Sequence, residues 1–402
     1  MILPEKIILS IKILSAIVLT FIILNLVSCS EDPSSIGSPF LTKDLINLDS
    51  LDSFKDTLPQ FSYTYKHVIP LGFSSTLLLG IRGNNVATML LSFNISLPDT
   101  IKTDILNNAL TVSSAKVQLY KNYNYGDSTA PIDYSVHSIS STTPWTSTGF
   151  TVDSLPKLQY DAADVSSNKS FTDTLYQFNL DPVLVKNWLN IYANSLTPDN
   201  GIVVIPTQNS SKIIGFYALT PATSVNIPYL VVVLNKPGVY SNDTLKFSTT
   251  SDLSIISGNP PQNQTENIFV QSSVELESRI QFNLSKVPQH AIINYAELQL
   301  TIDTTKSVFG SSYSDQLAAY YILDSTHIDS STNQVTLNRS GPLYKGNITS
   351  YVQTWLSTKI NEGIQIKSGA YDTGLELWAL KGSSAADPSK RPRLKIIYTN
   401  KK

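Results

Sequence analysis

Four histidines, two glutamates two residues apart and a scattering of exposed-type aromatics are the side chains of this 402-residue chain that invite a chemical reading. His67, His137, His290 and His327 never stand at i,i+2 or i,i+4, the spacings that aim two imidazoles at one metal ion. His290 falls in a loop between strands and reads as a surface residue. Glu275 and Glu277 point to the same side of an extended segment, and a solvated strand face accounts for them better than a glycosidase pair of carboxylates. No HExxH, GxSxG or phosphate-loop pattern occurs, so no catalytic residue is assigned and the chain is expected not to be an enzyme. Asp161 to Asp164 and Asp324 to Asp329 come nearest to a calcium site, yet neither has a loop motif; no cofactor is expected beyond a structural calcium ion in such a loop.

Aromatic side chains hold more promise, because sugar rings stack on indole and phenol faces while polar neighbours bond the hydroxyls. "YKNYNYGDS" sets Tyr123 and Tyr125 on one side of an extended segment, Trp145 lies in a Thr/Ser loop, and Tyr320 and Tyr321 occupy the equivalent stretch further on. These five are the candidate ligand-binding residues; the alternative is that they cover a sandwich edge or cap its core. Trp188, Trp355 and Trp378 are assigned to the core by their positions in helices and an alternating strand.

Cys29 is the only cysteine, which excludes an internal disulfide and a multi-cysteine metal site. Before it runs "IILSIKILSAIVLTFIILNLV", with Lys6 and Lys12 at its start, the pattern of a secretory signal. Leu26-Val27-Ser28-Cys29 resembles the lipobox of bacterial lipoproteins, which implies cleavage before Cys29 and a lipid on its sulfur. An uncleaved transmembrane anchor is the alternative, since Ile7 to Val27 has the length of a span. Ser30, Glu31 and Asp32 resemble the export signal of surface lipoproteins of Bacteroidota, implying the outer membrane with the chain facing the exterior. Residues 29–60 are polar and turn-rich and are expected to form a tether, with a first edge strand as the alternative.

Removing residues 1–28 takes away Glu5, Lys6 and Lys12 and leaves 27 basic and 30 acidic side chains, with no basic cluster to neutralise phosphates. Nucleic acid is therefore not an expected partner. Few charges and many Ser, Thr, Asn and Tyr suit β structure with polar loops.

The chain repeats itself. "MLLSFNISLPD" then "VSSAKVQLY" is answered by "RIQFNLSKVPQ" then "INYAELQL"; "FNLDPVLVKNWLN" by "GNITSYVQTWLST"; "NGIVVIP" by "EGIQIK"; and "IPYLVVVL" by "RPRLKIIY". Ala115, Val117 and Leu119 match Ala296, Leu298 and Leu300 at a period of two, the mark of one buried and one wet face. Val185/Trp188 and Val352/Trp355 are three apart, on one side of a short helix. The second copy, with "RIQFNLSKVPQHAIINYAELQLTI", "YVQTWLS" and "RPRLKIIY", resembles the DNRLRE modules, or disaggregatase-related repeats, of extracellular proteins. The first copy departs from that pattern, with Met89 aligned to Arg279 and Ile227 to Arg391. The resemblance implies a jelly-roll-like sandwich that in several members binds carbohydrate.

The expected protein is thus all-β, with two tandem jelly-roll-like antiparallel β-sandwich domains at 61–237 and 241–400, each with one short helix. Its expected function is a lipid-anchored, non-enzymatic surface protein binding carbohydrate or envelope polysaccharide. The alternatives are a structural or adhesive protein with an envelope protein partner and, further off, a polysaccharide-degrading enzyme.

Overall fold

The computed structural model describes residues 48–140, 145–196, 201–220, 226–261, 266–274, 276–311, 313–324, 334–370 and 372–400. Cys29 and the segments expected to be a signal and, up to residue 47, a tether lie outside them, as do Glu275, His327 and all of the Asp324 to Asp329 stretch except Asp324.

The chain opens with β1 (Leu48–Asp52) and β2 (Gln60–Lys66). The first copy follows as β3 (Thr76–Arg82), β4 (Asn85–Phe93), α1 (Asp99–Leu106), β5 (Thr111–Tyr125), β6 (Tyr134–Ser138), β7 (Ser166–Phe171), β8 (Leu175–Leu180), α2 (Pro182–Ala193), β9 (Gly201–Pro206), β10 (Ile213–Tyr217) and β11 (Tyr229–Lys236). A long β12 (Tyr240–Ser257) leads to the second copy. That copy comprises β13 (Asn267–Gln271), β14 (Leu276–Phe282), β15 (Ile292–Thr301), β16 (Gln316–Tyr321), β17 (Val335–Ser340), β18 (Leu343–Asn347), α3 (Thr349–Thr358), β19 (Ile364–Ser368), β20 (Leu377–Lys381) and β21 (Arg393–Thr399).

The fold is all-β and antiparallel, as expected, with helix α1 in the first copy as an addition. Pairing in the first sheet closes on itself: β10, β3, β4, β12, β11 and β5 are neighbours in turn, and β5 returns to β10. The second sheet runs β1, β21, β15, β18, β17, β16, β19, β14, β13, β20, with β2 added beside β14. Each sheet wraps its own apolar core, and period-two alternation fills it: Ala115, Val117 and Leu119 face the first core, Ala296, Leu298 and Leu300 the second. Helix α2 begins where Asp181 accepts a hydrogen bond from the Val183 amide and Pro182 presets the first turn. It buries Val185 and Trp188, as α3 buries Val352 and Trp355. Trp378 completes the second core, its indole donating to the Tyr344 hydroxyl at 2.9 Å.

Sheet membership departs from the domain limits expected from the repeat. β1 and β2 precede the first copy in sequence but pair with β21 and β14 of the second. β12 precedes the second copy but pairs with β11 and β4 of the first. Each copy's leading segment therefore completes the other copy's sheet. Both segments carry Asp-Thr-Leu, at 56–58 and 243–245; Leu58 is buried in the second core and Leu245 packs against the first. From residue 48 on, the alternative of a first edge strand replaces the expected tether: β1 stands at the edge of the second sheet, Asp52 pairs with Arg393, and the Ser53 amide donates to the Leu394 carbonyl at 2.9 Å.

A third core lies between the copies, where Leu78, Leu90, Val203 and Ile213 of the first meet Phe269, Leu276, Leu375 and Ala379 of the second. Residues 49–399 accordingly form one compact unit rather than two beads on a string.

Candidate binding face

Three of the five expected ligand-binding residues are buried. Tyr123 is 3% exposed and bridges the copies: its hydroxyl donates to Glu376 Oε1 at 2.9 Å and accepts from the Leu375 amide at 2.9 Å. Burial, with Glu376 beside it, pushes that phenol above its ordinary range. Gly310 is required here, because a Cβ would come within 2.2 Å of the Tyr123 ring. Tyr125 is buried in the same core under the Arg82 guanidinium, 5.3 Å from the ring centroid, and burial pushes its phenol up to about 12. Tyr321 is buried in the second core, its ring 5.6 Å from Tyr351 and 6.2 Å from Trp355. Trp145 is half-buried against the third core. The expectation that these side chains present ring faces to solvent is corrected for Tyr123, Tyr125 and Tyr321: an alternating strand read without its partners does not say which face is covered.

Tyr320 is different. Residues 317, 319 and 321 face the second core, so Tyr320 projects from the outer face of β16. Register carries that face across four strands: Tyr320 is opposite Gln365 on β19, Gln365 opposite Arg279 on β14, and Arg279 opposite Tyr63 on β2. β2 contributes Phe61, Tyr63 and Tyr65, whose ring centroids are 5.4 and 5.9 Å apart in sequence along the strand. Phe61 is 59% and Tyr63 38% exposed, two neighbouring rings that face solvent. Ser62 and Thr64 point the other way and fix the strand, accepting from the Ser383 and Phe269 amides at 2.8 Å each.

Beneath the rings lies a polar layer. Arg279 is held by Glu362, through its carbonyl at 2.7 Å and its carboxylate. Glu277 is 1% exposed, with Lys367 Nζ at 3.0 Å and His67 Nδ1 at 3.5 Å from its carboxylate, and it accepts from the Gln365 amide. That amide also reaches the Tyr65 hydroxyl at 2.6 Å, and burial, with Glu277 beside it, pushes the Tyr65 phenol up. The solvated strand face expected for Glu277 is thus corrected to a buried ion pair. Lys367 in turn sits 5.8 Å from the Tyr320 ring centroid, a cation–π approach. At the far end of the row Phe61, Gln281, Asn283 and Asn361 line part of an open cleft of about 390 Å³.

The first copy has no such face. Pairing places Leu253, Leu90, Val203 and His137 where the second copy has Tyr63, Arg279, Gln365 and Tyr320, so Leu90 rather than Met89 corresponds to Arg279. Leu253, Leu90 and Val203 are consumed by the third core. His137 is closed in, its Nδ1 within 3.0 Å of the Asp161 and Ala163 carbonyls, and Asp164 accepts from the Val136 and Ser166 amides. Among the described residues no group of three or more His, Cys, Asp or Glu is placed to hold a metal ion. His290 is exposed in its loop, as expected.

Phe61, Tyr63 and Tyr65 were open to sequence reading as "FSYTY", aromatics at a period of two beside a lysine. Placing them in the first copy hid them, since their neighbours on β14 and β19 lie more than two hundred residues away. An arrangement of exposed rings over a charge-paired polar layer can stack flat apolar faces and bond hydroxyls at its margin. Comparison with models of known protein families and with curated proteins finds no match for this chain.

Proposed function

We propose that the protein is a non-enzymatic, lipid-anchored surface protein that binds carbohydrate of the cell envelope or its surroundings on the outer face of the second sheet. The observation that carries this reading is the row of Phe61, Tyr63 and Tyr65, with Tyr320 across the same face and amides at its end. The ring faces of Phe61 and Tyr63 stand side by side in water, and stacking a sugar ring on them recovers apolar burial while leaving the hydroxyls wet. The lipobox-like "LVSC" and the Ser-Glu-Asp that follows support an anchor at Cys29 and exposure at the outer membrane. Among the described residues no helix is long and apolar enough to cross a membrane. The resemblance of the second copy's motifs to disaggregatase-related repeats supports this role.

A glycan array probed with the chain from residue 29 onward tests it. Binding is expected, with loss in a Phe61→Ala/Tyr63→Ala double variant that remains folded. A folded wild type that binds no glycan, or a double variant that binds as well as wild type, overturns the assignment.

A further inference from the structure

The face also defines the chemical class of glycan, an inference that rests on the carbohydrate reading above. Its cations and carboxylates are matched: Arg279 with Glu362, and Lys367, flanked by His67, with Glu277. An acidic polysaccharide that drew Lys367 away would leave the Glu277 carboxylate, 1% exposed, without its counter-charge, and at Arg279 it would have to compete with Glu362. At the cleft beside Phe61 the amide groups are partly spent. Asn361 donates to the Phe282 carbonyl at 2.8 Å and accepts from the Gly363 amide at 3.1 Å. Gln281 donates to the Asn361 carbonyl, and Asn283 accepts from the Ser285 amide at 2.8 Å. Gln281 Oε1 and Asn283 Nδ2 have no bond to a described residue, and Gln60 Oε1, which also lines the cleft, is buried without a partner, so both acceptors and donors are left beside an exposed ring. A hydroxyl both donates and accepts, so a polyol satisfies these groups; a carboxylate or sulfate, which only accepts, does not.

We propose that the ligand is a neutral glycan lying along β2, its sugar rings on Phe61 and Tyr63 and a hydroxyl edge turned to Gln281 and Asn283. Binding then has little dependence on ionic strength, because no net charge is exchanged.

Calorimetric titration of the mature chain with neutral oligosaccharides (β-glucan, mannan and xylan fragments) and with acidic ones (oligogalacturonate, oligoalginate), each at about 50 and about 500 mM NaCl, separates the cases. The expected result is binding of a neutral fragment with a Kd that changes less than about twofold with salt, weakened about tenfold or more by Phe61→Ala and by Asn283→Ala. Binding only to acidic fragments, with a Kd that rises steeply with salt, overturns neutrality and leaves carbohydrate binding standing. Binding to neither class by folded protein removes both.

Discussion

Glu277 and Asp252 are the two buried acids whose environments make the sharpest residue-scale predictions. Glu277 is inaccessible and paired with Lys367, so Glu277→Ala strands a largely buried ammonium. The expected loss in urea unfolding is about 3 kcal/mol, and a Glu277→Gln/Lys367→Met pair should recover most of it. Asp252 is 3% exposed; burial pushes its carboxyl from 3.8 up to about 6, against the pull of a bond from the Leu219 amide. Between those pH values the folded state holds a proton that the unfolded chain has released, so this group's contribution to stability falls as pH rises from about 4 to about 6 and is constant above. Asp252→Asn keeps an acceptor for Leu219 and removes the titration. The stability of the variant relative to wild type should therefore grow by roughly 3 kcal/mol across that window in denaturant melts; a difference independent of pH would contradict the burial argument. Neither acid was legible as buried in the sequence, because an alternating strand gives the periodicity of a face and not what covers it. The tryptophans were legible, since repeat position and helical spacing agree at Trp188 and Trp355.

At the scale of the element, β2 decides the account. It is held in the second sheet by seven residue pairs with β14 and by the buried Leu58 just before it. Leu58→Ala should cost about 2–4 kcal/mol through the cavity it opens. Hydrogen exchange of that variant should accelerate most in β2 and β14, by more than in β4 and β9. If β4 weakened instead, the leading segment would belong to the first copy, as its sequence position suggests. The strands, the two matched helices and the order of the repeat were readable from alternation, caps and recurring motifs. The exchange of leading segments was not, because strand pairing over some two hundred residues is fixed by which edges are left open, and local pattern carries no record of that. The same blindness moved the candidate site: "FSYTY" was visible, its partners Arg279, Gln365 and Tyr320 were not assigned to it.

For the whole molecule, three cores in one body imply that the copies unfold together. Tyr123 carries both hydrogen bonds described above between the copies, so Tyr123→Phe leaves the buried Glu376 carboxylate without its phenol donor and should cost about 1–3 kcal/mol. Calorimetry should show one transition for wild type and a lower Tm, still as one transition, for the variant; two resolved transitions in wild type would mean that the third core does not couple the halves. Coupling matters to function because β2, which bears the rings, precedes the first copy while the polar layer belongs to the second, so the face exists only when the exchanged arrangement is formed. Phe61, exposed and outside every core, should be replaceable by Ala within about 0.5 kcal/mol of wild-type stability, which separates binding from folding. The most direct test of the account is a hydrogen-exchange footprint of the mature chain with and without a saturating neutral oligosaccharide. Protection confined to β2, β14 and β19, absent in Phe61→Ala, is the predicted result; protection centred on the first copy, or none under conditions where the sugar is bound, would contradict it.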